Sequence, residues 1–260
     1  MKAQNIDEVI SQLESIIHDS IKLNNRAGYF AALYHKVTCR VKEGILAGEF
    51  EDGPRMELLD VIFANRYLAA YDQWTNKRPT PSSWKIAFEM FDKPKVLVLQ
   101  HLLLGMNAHI NLDLGIAVAE VAKAQNQPIQ QLHKDFNLIN AILAELTHEV
   151  IDELDRVAPL LFLTRLHSEN DSLLMQFAMS NARDGAWCFS EDLFTKEGAE
   201  YSASIEQRDK DIYKLGKSII EVKDLLRMTV FVIHVFGHKK PSKIIGFLNN
   251  SKKASSEVKN

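Results

Sequence analysis

His109 and Asp113 stand four residues apart inside the long apolar run from Val96 to Ala122. On an α-helix that spacing stacks an imidazole above a carboxylate on one face. Leu102, Gly105, Met106, Leu112 and Ile116 share the face, so the pair is expected to point inward. Buried groups of these types cost free energy unless they are hydrogen-bonded or bound to an ion. One chemistry that would satisfy them is a divalent metal. His109 and Asp113 would ligate from one helix while Asp135 or Asp60 closed the site from a neighbour, and nitrogen plus carboxylate donors suit zinc, iron or manganese. Water on such a metal would be activated for hydrolysis. A second is an active site without a metal, or a pocket for an apolar ligand. As an enzyme, the chain would be a metal-assisted hydrolase or a lyase with His109, Asp113 and Asp60 as catalytic groups, and Asn107, Asn111, Tyr67, Arg66 and Trp187 would hold a small or lipid-like molecule. A non-catalytic module that binds an apolar small molecule would be marked by a cavity of several hundred cubic ångströms lined by Met106, Phe63, Tyr67 and Trp187. The third reading is a satisfied polar network that only fixes helix packing.

The remaining candidates come from polar residues on apolar stripes. Met56, Leu59, Phe63, Tyr67 and Ala70 form the inner stripe of one helix, with Asp60 and Arg66 on or beside it. Leu132, Phe136, Ile139, Leu143, Leu146 and Val150 form another, with Asp135 at its edge. Asn181, Arg183, Asp184 and Trp187 interrupt a face of small residues. His148 and Asp152 repeat the four-residue spacing amid Glu149, Glu153 and Asp155, and read as a solvated face. His35 and His101 read as boundary residues, and His234 as a core histidine. Phosphate-binding glycine loops, a Gly-x-Ser-x-Gly elbow and a Cys/His nucleophile pattern are missing from the sequence.

Positioning these groups falls to helices. Apolar residues recur with the helical period throughout, and strict alternation is nearly absent. Helices are expected at Ile6–Leu23, Ala27–Leu46 and Arg55–Trp74, then a short piece at Trp84–Phe91 and a central helix from about Lys95 to Ala122. Ile10, Leu13, Ile17 and Ile21 are the inner stripe expected for the first, and Phe30, Tyr34, Val37, Val41 and Ile45 for the second. Further helices follow at Ile129–Val157, Leu173–Phe194, Ala203–Ile220, Val222–Phe236 and Pro241–Leu248. Asp52-Gly53-Pro54 supplies a cap and an N-terminal proline for the third helix. The expected architecture is all-α: one helical bundle of about seven to nine helices around a long central helix, spanning residues 1–250, with 251–260 as a disordered polar tail.

The chain has 260 residues, 46% of them hydrophobic and 25% charged, with a formal net charge of −3. That balance gives no electrostatic reason to expect a nucleic-acid partner. Two cysteines without metal or redox spacing read as free thiols, and the polar N-terminus lacks a secretory signal, so a cytoplasmic location is expected. The central segment is long enough to span a bilayer, but His101, Asn107, His109, Asn111 and Asp113 break it, so no membrane span is expected. Neither a substrate nor an oligomeric state follows from the sequence.

Several stretches together resemble an uncharacterised, mostly bacterial family, the domain-of-unknown-function family 5995. They are Phe50-x-Asp52, Leu59-Asp60, Phe63-Ala64-Asn65-Arg66-Tyr67-Leu68-x-Ala70, Gln100 and Gly105-Met106-Asn107-Ala108-His109-Ile110-Asn111-x-Asp113-Leu114. Asp135-Phe136 and Ala186-Trp187 match less distinctively, and the likeness runs from about Ile6 to Leu248. The resemblance implies a helical fold and marks Asp60, His109 and Asp113 as fitting the family pattern. It supplies no mechanism.

Overall fold

Local signals start and stop the first and third helices within two residues of the expected bounds. Asn5 caps α1 (Ile6–Leu23) by accepting from the Glu8 amide, and Asn24 ends it in the left-handed conformation at φ 54°. Asp52 caps α3 (Gly53–Thr75) by accepting from the Arg55 amide at 2.9 Å, with Pro54 in the first turn. Between them lies α2 (Gly28–Leu46). The structure, a computed structural model, describes residues 2–139, 141, 142, 146, 179–221 and 240–257. Among these residues it holds nine α-helices and no strand. The others are α4 (Ser82–Glu89), α5 (Val98–Ala108), α6 (Gly115–Ala124), α7 (Met179–Phe194), α8 (Gly198–Ile220) and α9 (Pro241–Glu257).

Helix α5, a π-helical turn at His109–Leu114 and α6 run on as one central rod. Every residue from Gln100 to Ala119 is buried. By length and composition Val98–Ala124 could cross a membrane, yet its most apolar window is wholly buried inside the fold. Helices α2, α3, α4, α7 and α8 surround the rod, and α1 and α9 pack on α2 from outside. Close approach is possible where the rod carries glycine. A Cβ on Gly105 would sit 2.4 Å from Phe30 Cδ2, and one on Gly115 would sit 2.8 Å from the Ala186 carbonyl oxygen.

Several expectations need correction. The buried stripe of α1 is Ile6, Val9, Leu13 and Ile17, and Ile21 is exposed, because i+3 and i+4 steps from Leu13 allow either stripe. A short 3₁₀ turn, Ile129–Leu132, precedes the helical stretch 133–139, where one continuous helix was expected. Helix α9 continues to Glu257, through the stretch expected to be an unstructured tail. No glycine or proline follows Gly246, and Lys252, Lys253 and Ala254 are good helix formers. His148, Asp152, His234 and the expected Val222–Phe236 helix lie outside the described residues.

Candidate functional site

The π-helical turn begins at His109 and carries Asp113. Such turns are rare and often mark functional positions, because the widened backbone re-aims side chains that a regular helix would keep in line. Here Asp113 is almost fully buried and accepts three hydrogen bonds from three elements. Arg66 Nε of α3 donates to Oδ1 at 2.9 Å, and Trp84 Nε1 of α4 donates to Oδ2 at 2.8 Å. His109 Nδ1 lies 3.2 Å from the same Oδ2. With Arg66 and Trp84 already donating to this carboxylate, the hydrogen of the ring is assigned to Nδ1, which makes it the third donor.

The imidazole sits in a box of aromatic rings. Phe63 stacks on it with centroids 3.5 Å apart and planes 6° from parallel, and Tyr34 meets it edge-on at 4.5 Å. Phe30 and Trp84 lie at 5.8 Å, and Tyr67 at 6.2 Å. Burial in this box pushes the His109 pKa down, and Arg66 adds to the effect, while Asp113 opposes both. The ring is therefore neutral at physiological pH. A neutral imidazole with hydrogen on Nδ1 leaves Nε2 as a bare acceptor, and Nε2 has no partner among the described residues.

His109 also lines a cavity of about 30 Å³, together with Tyr34, Phe63, Met106, Ile110 and Val37. That volume takes one water-sized group. The expected cavity of several hundred cubic ångströms is not formed at this point, because the aromatic rings interlock, and neither Tyr67 nor Trp187 reaches the wall. A groove of about 770 Å³ lies on the outer side of α3, lined by Ile62, Tyr71, Asp19, Glu120 and the quarter-exposed Arg66.

Of the residues singled out from the sequence, the fold brings His109, Asp113, Arg66 and Tyr67 together. Asp60 is buried on the inner face of α3. Its Oδ2 has no partner among the described residues, and burial, with Glu57 adding to it, pushes the carboxyl up to about 7. Asp135 belongs elsewhere. It pairs with Arg55 at 2.8 Å and accepts from the amides of Glu51 at 2.8 Å and Asp52 at 3.3 Å. The metal set His109, Asp113 and Asp135 is thus corrected: Asp135 is committed to the start of α3, and both oxygens of Asp113 are taken by cationic or N–H donors. Among the described residues no group of three His, Cys, Asp or Glu side chains is placed to hold a metal ion.

Trp187 is corrected as well, since it packs on His133 and Phe136 and makes no contact with the His109 box. Asn107 and Asn111 face α8 instead. Asn111 Nδ2 donates to Asn107 Oδ1 at 3.1 Å, and Asn107 Nδ2 donates to the Ile212 carbonyl at 3.0 Å. His101, expected at a boundary, is buried beside Tyr29, and burial pushes its pKa down to about 3.

Two residues of the site escaped the sequence reading. Trp84 lies 29 positions from Asp113, so no local spacing links them. Tyr34 sits among apolar neighbours on the α2 stripe and reads as core, and its only signal is a phenol where a phenylalanine would pack as well. The chain matches no curated protein and no solved structure. The family model that does match covers residues 6–222, stopping short of Leu248, and the chain belongs to that family, the family of unknown function DUF5995.

Proposed function

We propose that this chain is an enzyme acting on a small molecule, with His109 Nε2 as its general base. One observation carries the reading: a neutral imidazole, fixed through Nδ1 by Asp113, keeps Nε2 unpartnered on a side chain that borders a small cavity. Holding a histidine through one nitrogen so that the other can take a proton is the arrangement a general base needs. Asp113 fixes the ring's orientation and stabilises the imidazolium that forms. Arg66 and Trp84 in turn fix Asp113. The apolar walls favour a substrate with an apolar body, and proton removal from water or from carbon would give hydrolase or lyase chemistry.

A second reading is favoured by the same carboxylate's ties to α3, α4 and the π turn: the network would serve packing alone. A comparison of the wild type with His109→Gln separates the two. Each would be assayed on p-nitrophenyl esters of short and long acyl chains and on small carbonyl compounds. An enzyme with this base loses turnover by about 100-fold or more in the variant, at an unchanged melting temperature. Turnover that survives His109→Gln, or that falls only with the fold, favours packing.

A further inference from the structure

A pocket of about 660 Å³ opens where α3 ends and α4 begins. Trp74, Pro79, Lys77, Arg78 and Lys85 form most of its wall, which holds three cations and no acid. The turn beneath it is unusual. Lys77 N–H donates to the Trp74 carbonyl at 3.1 Å and Arg78 N–H to the Gln73 carbonyl at 2.7 Å, a paired closure that places one left-handed residue after the helix. Lys77 is that residue, at φ 54°. Among the described residues the other non-glycine positions with such a φ are Asn24 and Asn126, and asparagine tolerates it better than a long side chain does. Glycine or asparagine would close α3 with less strain, so a lysine here asks what its side chain does.

The far side of the loop is held too. Thr80 Oγ1 donates to the Arg78 carbonyl at 3.1 Å, and Asp209 of α8 accepts from the amides of Ser82 at 2.6 Å and Ser83 at 2.9 Å. Pro79 and Pro81 fix two more φ angles. A wall ordered in advance costs little further entropy when a ligand enters.

Charge and shape name the ligand's class. Asp72 pairs with Arg78, and Glu89 lies 3.9 Å from Lys85, both from outside the wall. Lys77 has no acid partner among the described residues, so three cations meet two acids and one positive charge is left over. Trp74, half-buried and packed on Phe88 at 5.9 Å between centroids, adds a broad apolar surface. We propose that this pocket binds a small aromatic anion, with the ring against Trp74 and Pro79 and the acid group among Lys77, Arg78 and Lys85. The site is separate from His109 and stands whether or not that histidine is a base.

Indole N–H signals in ¹H–¹⁵N spectra of the full chain read the binding, with Trp74 assigned through Trp74→Phe. The probes are naphthoate and naphthyl phosphate, which differ only in the acid group. Naphthol and inorganic phosphate supply the ring and the charge alone. At least one naphthyl anion should shift the Trp74 signal saturably at or below millimolar concentration, and whichever binds tighter names the acid group. Lys77→Asn removes the charge with a residue that accepts the left-handed turn, and it should weaken binding about tenfold while the protein stays folded. A lysine that only complements the negative end of α3 would leave binding unmoved in Lys77→Asn, and that result overturns the proposal. Naphthol or inorganic phosphate binding as tightly as the naphthyl anions, or a Trp74 signal that none of the probes moves, overturns it as well.

Discussion

Replacing Asp113 by asparagine keeps the side chain's shape and removes its charge, and the structure sets the size of the result. The best placement of the new amide leaves its oxygen where Oδ2 was, still accepting from Trp84 at 2.8 Å and His109 at 3.2 Å. Both bonds then lose a charged acceptor and about half their strength, roughly 1 kcal/mol each. The amide nitrogen now faces Arg66 Nε, so that donor loses its partner. Arg66 is only a quarter exposed, but it lines the outer groove and has Glu120 at 4.0 Å. It can turn toward both, which holds this part of the loss to about 1 kcal/mol instead of the roughly 3–5 kcal/mol of a fully buried orphaned charge. The sum is about 2–4 kcal/mol. In a protein of this size that lowers the melting temperature by roughly 5–15 °C. Urea unfolding and calorimetry at pH 7.5 measure both quantities. A change below about 0.5 kcal/mol, the scale of an ordinary surface substitution, would refute the placement of Asp113 as a buried, charged acceptor.

Other consequences can be checked alongside. Arg55→Met leaves the buried Asp135 carboxylate without its cation, and should cost about 3 kcal/mol in urea unfolding, the low end of the range because the Glu51 and Asp52 amides still donate. The carboxyl of Asp60 rises from 3.8 to about 7 in the fold, so unfolding releases a proton between those values and stability falls as pH rises through them. Asp60→Asn should flatten that slope, as unfolding at a series of pH values will show. His101 has the opposite sign: its pKa drops from 6.5 to about 3, so its contribution is intact above pH 6.5 and is lost as pH falls toward 3. His101→Phe should weaken the acid sensitivity of unfolding over that window.

Much of this was legible in the residues themselves. The helical period gave the all-α class and the central rod. The four-residue step from His109 to Asp113 gave their contact, which survives in a π turn because the side chains still overlap. The burial of Asp60 was legible from its place on an apolar stripe. The π turn itself was not legible, since its widened hydrogen bonding leaves no mark on a stripe of alternating three- and four-residue steps. Asp135 was misplaced for a different reason. An acid at a stripe's edge can meet any neighbouring helix, and its true partner, Arg55, lies 80 positions away in a helix start. Trp187 interrupts a face of small residues, but its ring packs on His133 and Phe136 while Ala186 of that face meets Gly115 of the rod. The cavity's size could not be read at all, because it depends on how Phe30, Tyr34, Phe63 and Met106 interlock.

The protonation of the His109 ring tests the central claim most directly. In ¹⁵N-labelled protein at neutral pH, the account predicts a neutral imidazole with hydrogen on Nδ1 and a lone pair on Nε2, and it predicts that this form persists below pH 6.5. A ring that is protonated on both nitrogens at neutral pH, or that carries its hydrogen on Nε2, would contradict it.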